Sequence, residues 1–162
     1  MGLARWYKRL RHTYGFGVHS PSAYSLVMET LRESGVYGYY AYGELGGRRR
    51  RELRLVYRLS AHFRPSEIAF YGDNPALEAA ARMGLQKSAS SGSLMAIVDK
   101  DYRGEGDSRL EEAAVVYFGD ARSALAAKVK GGMTAGHIFA APRRALIKRD
   151  PGLPLEVFSL NF

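Results

Sequence analysis

The spacing of apolar positions changes near residue 65. Before it they recur at helical intervals, and after it they come in short runs. Leu3, Trp6, Tyr7 and Leu10 fall at i, i+3, i+4 and i+7, one face of a short helix, with Arg5, Lys8, Arg9 and Arg11 on the others. The glycines and proline of residues 13–21, TYGFGVHSP, mark a turn. Ser20 reads as a helix N-cap, with Pro21 at the first helical position, where its missing N–H costs nothing. Ala23, Leu26, Val27, Thr30 and Leu31 carry a helical stripe towards Gly35. An aromatic loop, GVYGYYAYG, follows at 35–43. Residues 44–63 read as a longer helix whose second half is apolar on two faces, and therefore buried.

Beyond Pro65 the pattern predicts strands at 68–71, 94–98, 115–118, 138–140 and 155–160. Helices are predicted at 75–83, 108–113, 121–130 and 143–148. Strands alternating with helices imply right-handed crossovers and a mainly parallel sheet. The polar stretch 86–93, QKSASSGS, reads as a loop. Residues 67–84, EIAFYGDNPALEAAARMG, carry the clearest local signal: a short strand, a tight turn at Gly72, then a helix. Nucleotide-binding α/β domains open this way, but their turn usually holds two or three glycines and this one holds one.

Charge divides the chain at the same place. Residues 1–64 hold 12 Lys+Arg against 4 Asp+Glu, whereas residues 65–162 hold 12 against 12, so the net +8 belongs to the front. Eight of the 11 tyrosines and the single tryptophan lie there too. We therefore expect two parts: a basic, aromatic, helical extension over 1–64 and a neutral α/β domain over 65–162. The absence of cysteine removes disulfide and thiolate chemistry and suits a reducing compartment. No apolar run approaches the roughly 18 residues of a membrane span. The basic N-terminus lacks the apolar core of a secretory signal, so a cytoplasmic protein is expected.

Two segments, GFGVHSPSAYSLV at 15–27 and HFRPSEIAFYGDNPALEAA at 62–80, resemble a group of class I S-adenosylmethionine-dependent methyltransferase-like proteins. That group carries a Gly-aliphatic-His-Ser-Pro signature in a helical extension, then a basic helix, then a Rossmann-like domain. The closing DPGLPLEVFSLNF resembles the group's last strand region. The resemblance implies a three-layer α/β Rossmann-like fold, shortened relative to the group. It also implies S-adenosylmethionine or S-adenosylhomocysteine as ligand. Gly72, Asp73 and Asn74 would form the first loop and Asp99, or Asp101, would meet the ribose. Gly119, Asp120 and Ala121 would face adenine. The chain departs from the group at Phe70, where an acidic residue is usual. It departs again at Pro75 and Ala76, where a second glycine is usual, and at Ala140, Ala141 and Pro142, where an acid usually stands.

Plainer roles stand beside these. Asp73 and Asn74 also suit helix capping, and Asp120 suits the start of a helix. His19 suits a hydrogen bond fixing the turn before Pro21, or a general base. The four histidines show no metal-ligand spacing, and no nucleophile elbow is present. The Arg48–Arg51 run suits a solvated helix face or a phosphate-binding surface, with Tyr37, Tyr39, Tyr40 and Tyr42 near it for stacking on bases. Two functions are therefore expected. One is a methyltransferase-like protein that binds the cofactor while its broken glycine loop weakens catalysis. The other is a non-catalytic interaction module whose basic aromatic front binds a protein partner, a second copy of the chain or nucleic acid.

Overall fold

A computed structural model describes residues 7, 10, 11, 13, 14, 17–32, 51–85 and 92–162. The Leu3, Trp6 and Tyr37–Tyr42 positions and the start of the helix expected over 44–63 fall outside them. Among the N-terminal residues, Tyr7, Leu10, Arg11 and Thr13 are helical. Ser20 does cap α1 (Pro21–Ser25), accepting a hydrogen bond from the Ala23 N–H. The helix then widens into a π-helical segment (Leu26–Leu31), closed by a bond from Arg32 N–H to Val27 O. This wider turn buries Leu26, Val27, Thr30 and Leu31 together.

The ordered elements that follow are α2 (Arg51–Phe63), β1 (Glu67–Tyr71), α3 (Pro75–Gly84), β2 (Leu94–Val98) and α4 (Ser108–Glu112). β3 (Val115–Phe118), α5 (Ala124–Gly131), β4 (His137–Ala140), β5 (Ala145–Lys148) and β6 (Glu156–Ser159) complete the chain. Among the described residues, six strands form one sheet in the order β1-β2-β3-β5-β4-β6. β5 is antiparallel to both its neighbours, and the other five strands run the same way.

β5 corrects the helix expected over 143–148. Arg, Ala, Leu and Lys are good helix formers, and propensity favoured that reading. Ala145, Leu146 and Ile147 are all buried, because β5 is inserted between β3 and β4 and covered on both faces. A three-residue apolar run buried on both sides has no periodicity to betray it, and tertiary pairing outweighs propensity.

Alternating side chains sort the core into two layers. Ile97, Val115, Tyr117, Phe139 and Leu146 face α1, the π-helical segment, α2 and α3. Ala96, Val98, Val116, Phe118 and Ile147 face α4 and α5. The helical extension thus shares a core with the sheet: Leu55, Val56 and Leu59 of α2 belong to the same buried cluster as Leu77 and Ala81 of α3 and the strand residues of this face.

This layering corrects a second expectation. β1, β2 and β3 advance one way across the sheet, yet α3 lies on one face and α4 on the other. Right-handed crossovers advancing one way keep their helices on one face. α5, which leads from β3 to β4 in the same direction, shares the face of α4. The β1–α3–β2 connection therefore has the opposite hand to the two that follow it, and the rule that such crossovers are right-handed in about 98% of cases makes it the left-handed one.

His137 opens β4 with 1% exposure, and its Nε2 lies 3.4 Å from Glu156 Oε2. Burial holds its pKa below the usual 6.5, against the pull of the Glu156 carboxylate; Lys148 adds to the lowering, and Asp150 opposes it. A histidine harder to protonate in the folded state than in the unfolded one costs stability as pH falls. The loss starts as pH drops through 6.5 and stops once the folded imidazole is itself protonated. The melting temperature is expected to fall on acidification through this window, and His137→Asn should flatten that part of the profile in a pH series of thermal melts.

Candidate functional site

The parallel strands end together, and their carboxyl ends carry most of the residues singled out in the sequence. Asp99 N–H donates to Tyr71 O at 2.8 Å, which ties the end of β2 to the end of β1. Gly72 follows at φ +138°, a conformation side-chain-bearing residues avoid, and a Cβ placed there would sit 2.6 Å from Asp99 Cβ. The two residues are therefore in direct contact. Asp99 is 5% exposed, and its Oδ1 accepts the Lys100 N–H at 2.8 Å.

A cleft of about 440 Å³ lies over this contact, lined by Gly72, Asp73, Asp99, Asp101, Tyr102, Arg103 and Gly104. The chain after Asp99 curls into its wall. Arg103 Nη1 donates to Lys100 O and Tyr102 O at 2.9 and 3.0 Å. The Tyr102 ring meets Tyr71 edge to face at 5.6 Å. Tyr71 donates its hydroxyl to Asp107, the N-cap of α4. Burial first, and then that carboxylate, push the Tyr71 pKa upward. The hydroxyl bond holds Asp107 below the usual carboxylate range. Three aspartates against one arginine make the cleft acidic.

Gly119, at the end of β3, lies elsewhere. A Cβ there would meet Lys100 N at 2.7 Å and Glu52 Oε1 at 3.2 Å. The Lys100 backbone thus separates the first cleft from a second, of about 480 Å³, lined by Glu52, Lys100, Gly119, Pro142, Arg144 and Phe162 among others. Asp120 Oδ1 accepts the Arg122 N–H at 2.9 Å, so its carboxylate shapes a turn. Ala121 N–H donates to Arg143 O and Ala121 O accepts from Lys130 Nζ, each at 2.8 Å. Asn74 caps α3, accepting from Leu77 N–H at 3.1 Å. Of the seven residues expected to hold the cofactor, Gly72, Asp73 and Asp99 come together. Gly119 opens on the neighbouring cleft, and the polar groups of Asn74 and Asp120 serve the backbone.

Glu52 was not visible as a site residue in the sequence. It reaches from α2 to accept the Tyr117 hydroxyl at 2.8 Å, and Arg144 Nε lies 3.9 Å away. Burial, reinforced by Glu52, drives the Tyr117 pKa well above its usual value. Tyr102 also went unread, because a lone tyrosine in a loop carries no pattern. Among the described residues no group of three or more His, Cys, Asp or Glu is placed to hold a metal. Nor is any of their helices long and apolar enough to cross a membrane.

A third cleft, about 650 Å³, shares Pro142, Arg144 and Phe162 with the second and runs along α2. Arg32, Arg51, Arg54, Arg58 and Arg144 line it. The clefts are therefore of opposite character: acidic at β1 and β2, basic along α2.

No protein-family model, curated protein or solved structure matches this chain.

Two substitutions test this geometry. Gly72→Ala forces a Cβ onto Asp99 at an unfavourable φ and should cost about 1–3 kcal/mol in denaturant unfolding. Tyr117→Phe removes the hydroxyl that Glu52 accepts and should cost about 1–2 kcal/mol by the same measurement.

Proposed function

We propose that this is a shortened methyltransferase-like protein that acts by binding rather than by methyl transfer, with its basic helical front as the binding surface. The position of β1 supports this reading most directly. Doubly wound nucleotide-binding sheets follow the order 3-2-1-4-5-6, so the first strand lies inside and the ligand sits where the strand order reverses. Among the described residues, β1 is an edge strand. α3 and α4 still leave β1 and β2 on opposite faces, but the strand on the far side of β1, whose end carries the ribose-binding acid in that order, is missing among the described residues. The sequence points the same way, since Phe70 replaces the usual acid and Pro75 and Ala76 stand where a second glycine is usual.

One observation favours a second reading, in which cofactor binding persists. Gly72 and Asp99 touch beneath an acidic cleft with Tyr102 at its side. A carboxylate there accepts hydrogen bonds from a ribose diol, and an acidic cleft attracts the positive sulfonium of S-adenosylmethionine. Methyl transfer from a sulfonium needs mainly positioning, so binding would be the decisive step.

A thermal-shift titration separates the two. A ligand that binds only the folded state raises stability by RT ln(1 + [L]/Kd). The first reading expects no shift with S-adenosylmethionine or S-adenosylhomocysteine at millimolar concentration. A saturable shift that is lost in Asp99→Asn would establish the second reading and overturn the first.

A further inference from the structure

From the arginine-lined cleft along α2, we infer that the protein binds a ligand bearing clustered phosphate groups. The inference rests on the binding reading above and gives that surface its chemistry. Arg51, Arg54 and Arg58 lie at i, i+3 and i+7 of α2, which puts them on one helical face. At 1.5 Å per residue the face carries positive charge over roughly 10 Å. Arg32, from the end of the π-helical segment, and Arg144, from the β4–β5 turn, complete the lining.

Gathering these groups has a cost. Like charges gathered in one cleft repel one another. Specific contacts hold the heads in place against that repulsion. Arg58 Nε donates to Thr30 O at 2.9 Å. The Arg32 guanidinium stacks over the Tyr14 ring at 4.2 Å from its centroid. Arg144 is held near Glu52 at 3.9 Å. Repelling charges fixed in one cleft form a ready anion site, because the ligand meets oriented donors and their ordering is already done. Guanidinium forks match phosphate oxygens two at a time. The volume, about 650 Å³, is that of a small-molecule site. Leu31, Leu55 and Phe162 add an apolar wall against which a sugar or base can rest. Phosphates reach such a cleft on a small polyphosphate or on a single nucleic-acid strand, and the recognition chemistry is the same.

The test uses inorganic tripolyphosphate in a thermal-shift titration and a fluorescein-labelled single-stranded oligothymidylate in anisotropy, both at low salt. Binding should weaken with added salt, as counterion release requires. The variant Arg32→Gln/Arg51→Gln/Arg54→Gln should lose at least about tenfold in affinity. A charge-matched control in exposed surface pairs away from all three clefts, Arg82→Gln/Arg109→Gln/Lys128→Gln, should change it by less than about twofold. Melting curves of both variants without ligand check that each is folded. Saturable binding of tripolyphosphate assigns a small polyphosphate ligand, and binding of the oligonucleotide alone assigns a nucleic-acid strand. The inference is overturned if neither probe binds, or if control and cleft variants weaken binding equally, which would mean diffuse net charge. A shift with S-adenosylhomocysteine that persists in the cleft variant would count against the loss of cofactor binding and leave the arginine cleft standing.

Discussion

Everything in this structure depends on covering the middle of the sheet from both sides. All four residues of β3 are buried, as are Met95, Ala96, Ile97 and Val98 of β2 and Ala145, Leu146 and Ile147 of β5. Such strands fold only if helices lie on each face, because a bare face leaves a wide apolar surface in water. On one face α4 and α5 follow from the strand connections. On the other, α3 alone is too little, and the N-terminal helices complete the layer. The extension is therefore part of the core, and the same burial fixes α2 over the carboxyl end of β3. Glu52 and Tyr117 mark the junction, with a carboxylate of α2 accepting a hydroxyl from the centre of the sheet.

The proposed shortening of a methyltransferase-like sheet accounts for the left-handed β1–α3–β2 connection. In the doubly wound order 3-2-1-4-5-6, the helix after strand 1 lies on the face used by crossovers towards strands 2 and 3. Later crossovers turn back past strand 1 and use the other face. Remove strands 2 and 3, and strand 1 becomes an edge whose helix keeps the original face while the chain now advances the other way. The hand of that one connection must then reverse. This is the arrangement seen here, with an antiparallel strand inserted near the far side. On this account Asp99 ends the strand on the opposite side of β1 from a ribose-binding acid.

Charge separates the two functional readings in space. The acidic cleft at β1 and β2 suits a cationic ligand, whereas the cleft under α2 suits an anionic one. The Lys100 backbone stands between the first of these and the Glu52–Gly119 cleft that adjoins the basic trough. Asn74, Asp107 and Asp120 are occupied in capping helices and turns, the ordinary use of short polar side chains near helix starts.

Local sequence determined where most elements lie. Ser20 and Pro21 set the start of α1, and Gly72 set the turn after β1. The apolar runs at 94–98 and 115–118 became β2 and β3 at those bounds, since caps and short apolar runs act through neighbours in the chain. Only the tertiary structure decided that 145–148 is a strand, that one crossover is left-handed, and that Gly119 opens away from Gly72. Each depends on which strand lies beside which, and pairing between distant segments leaves no periodic trace in either one. The arginine cleft needed both. The helical spacing of Arg51, Arg54 and Arg58 is written in the sequence, whereas Arg32 and Arg144 join them only because the sheet brings distant turns under α2.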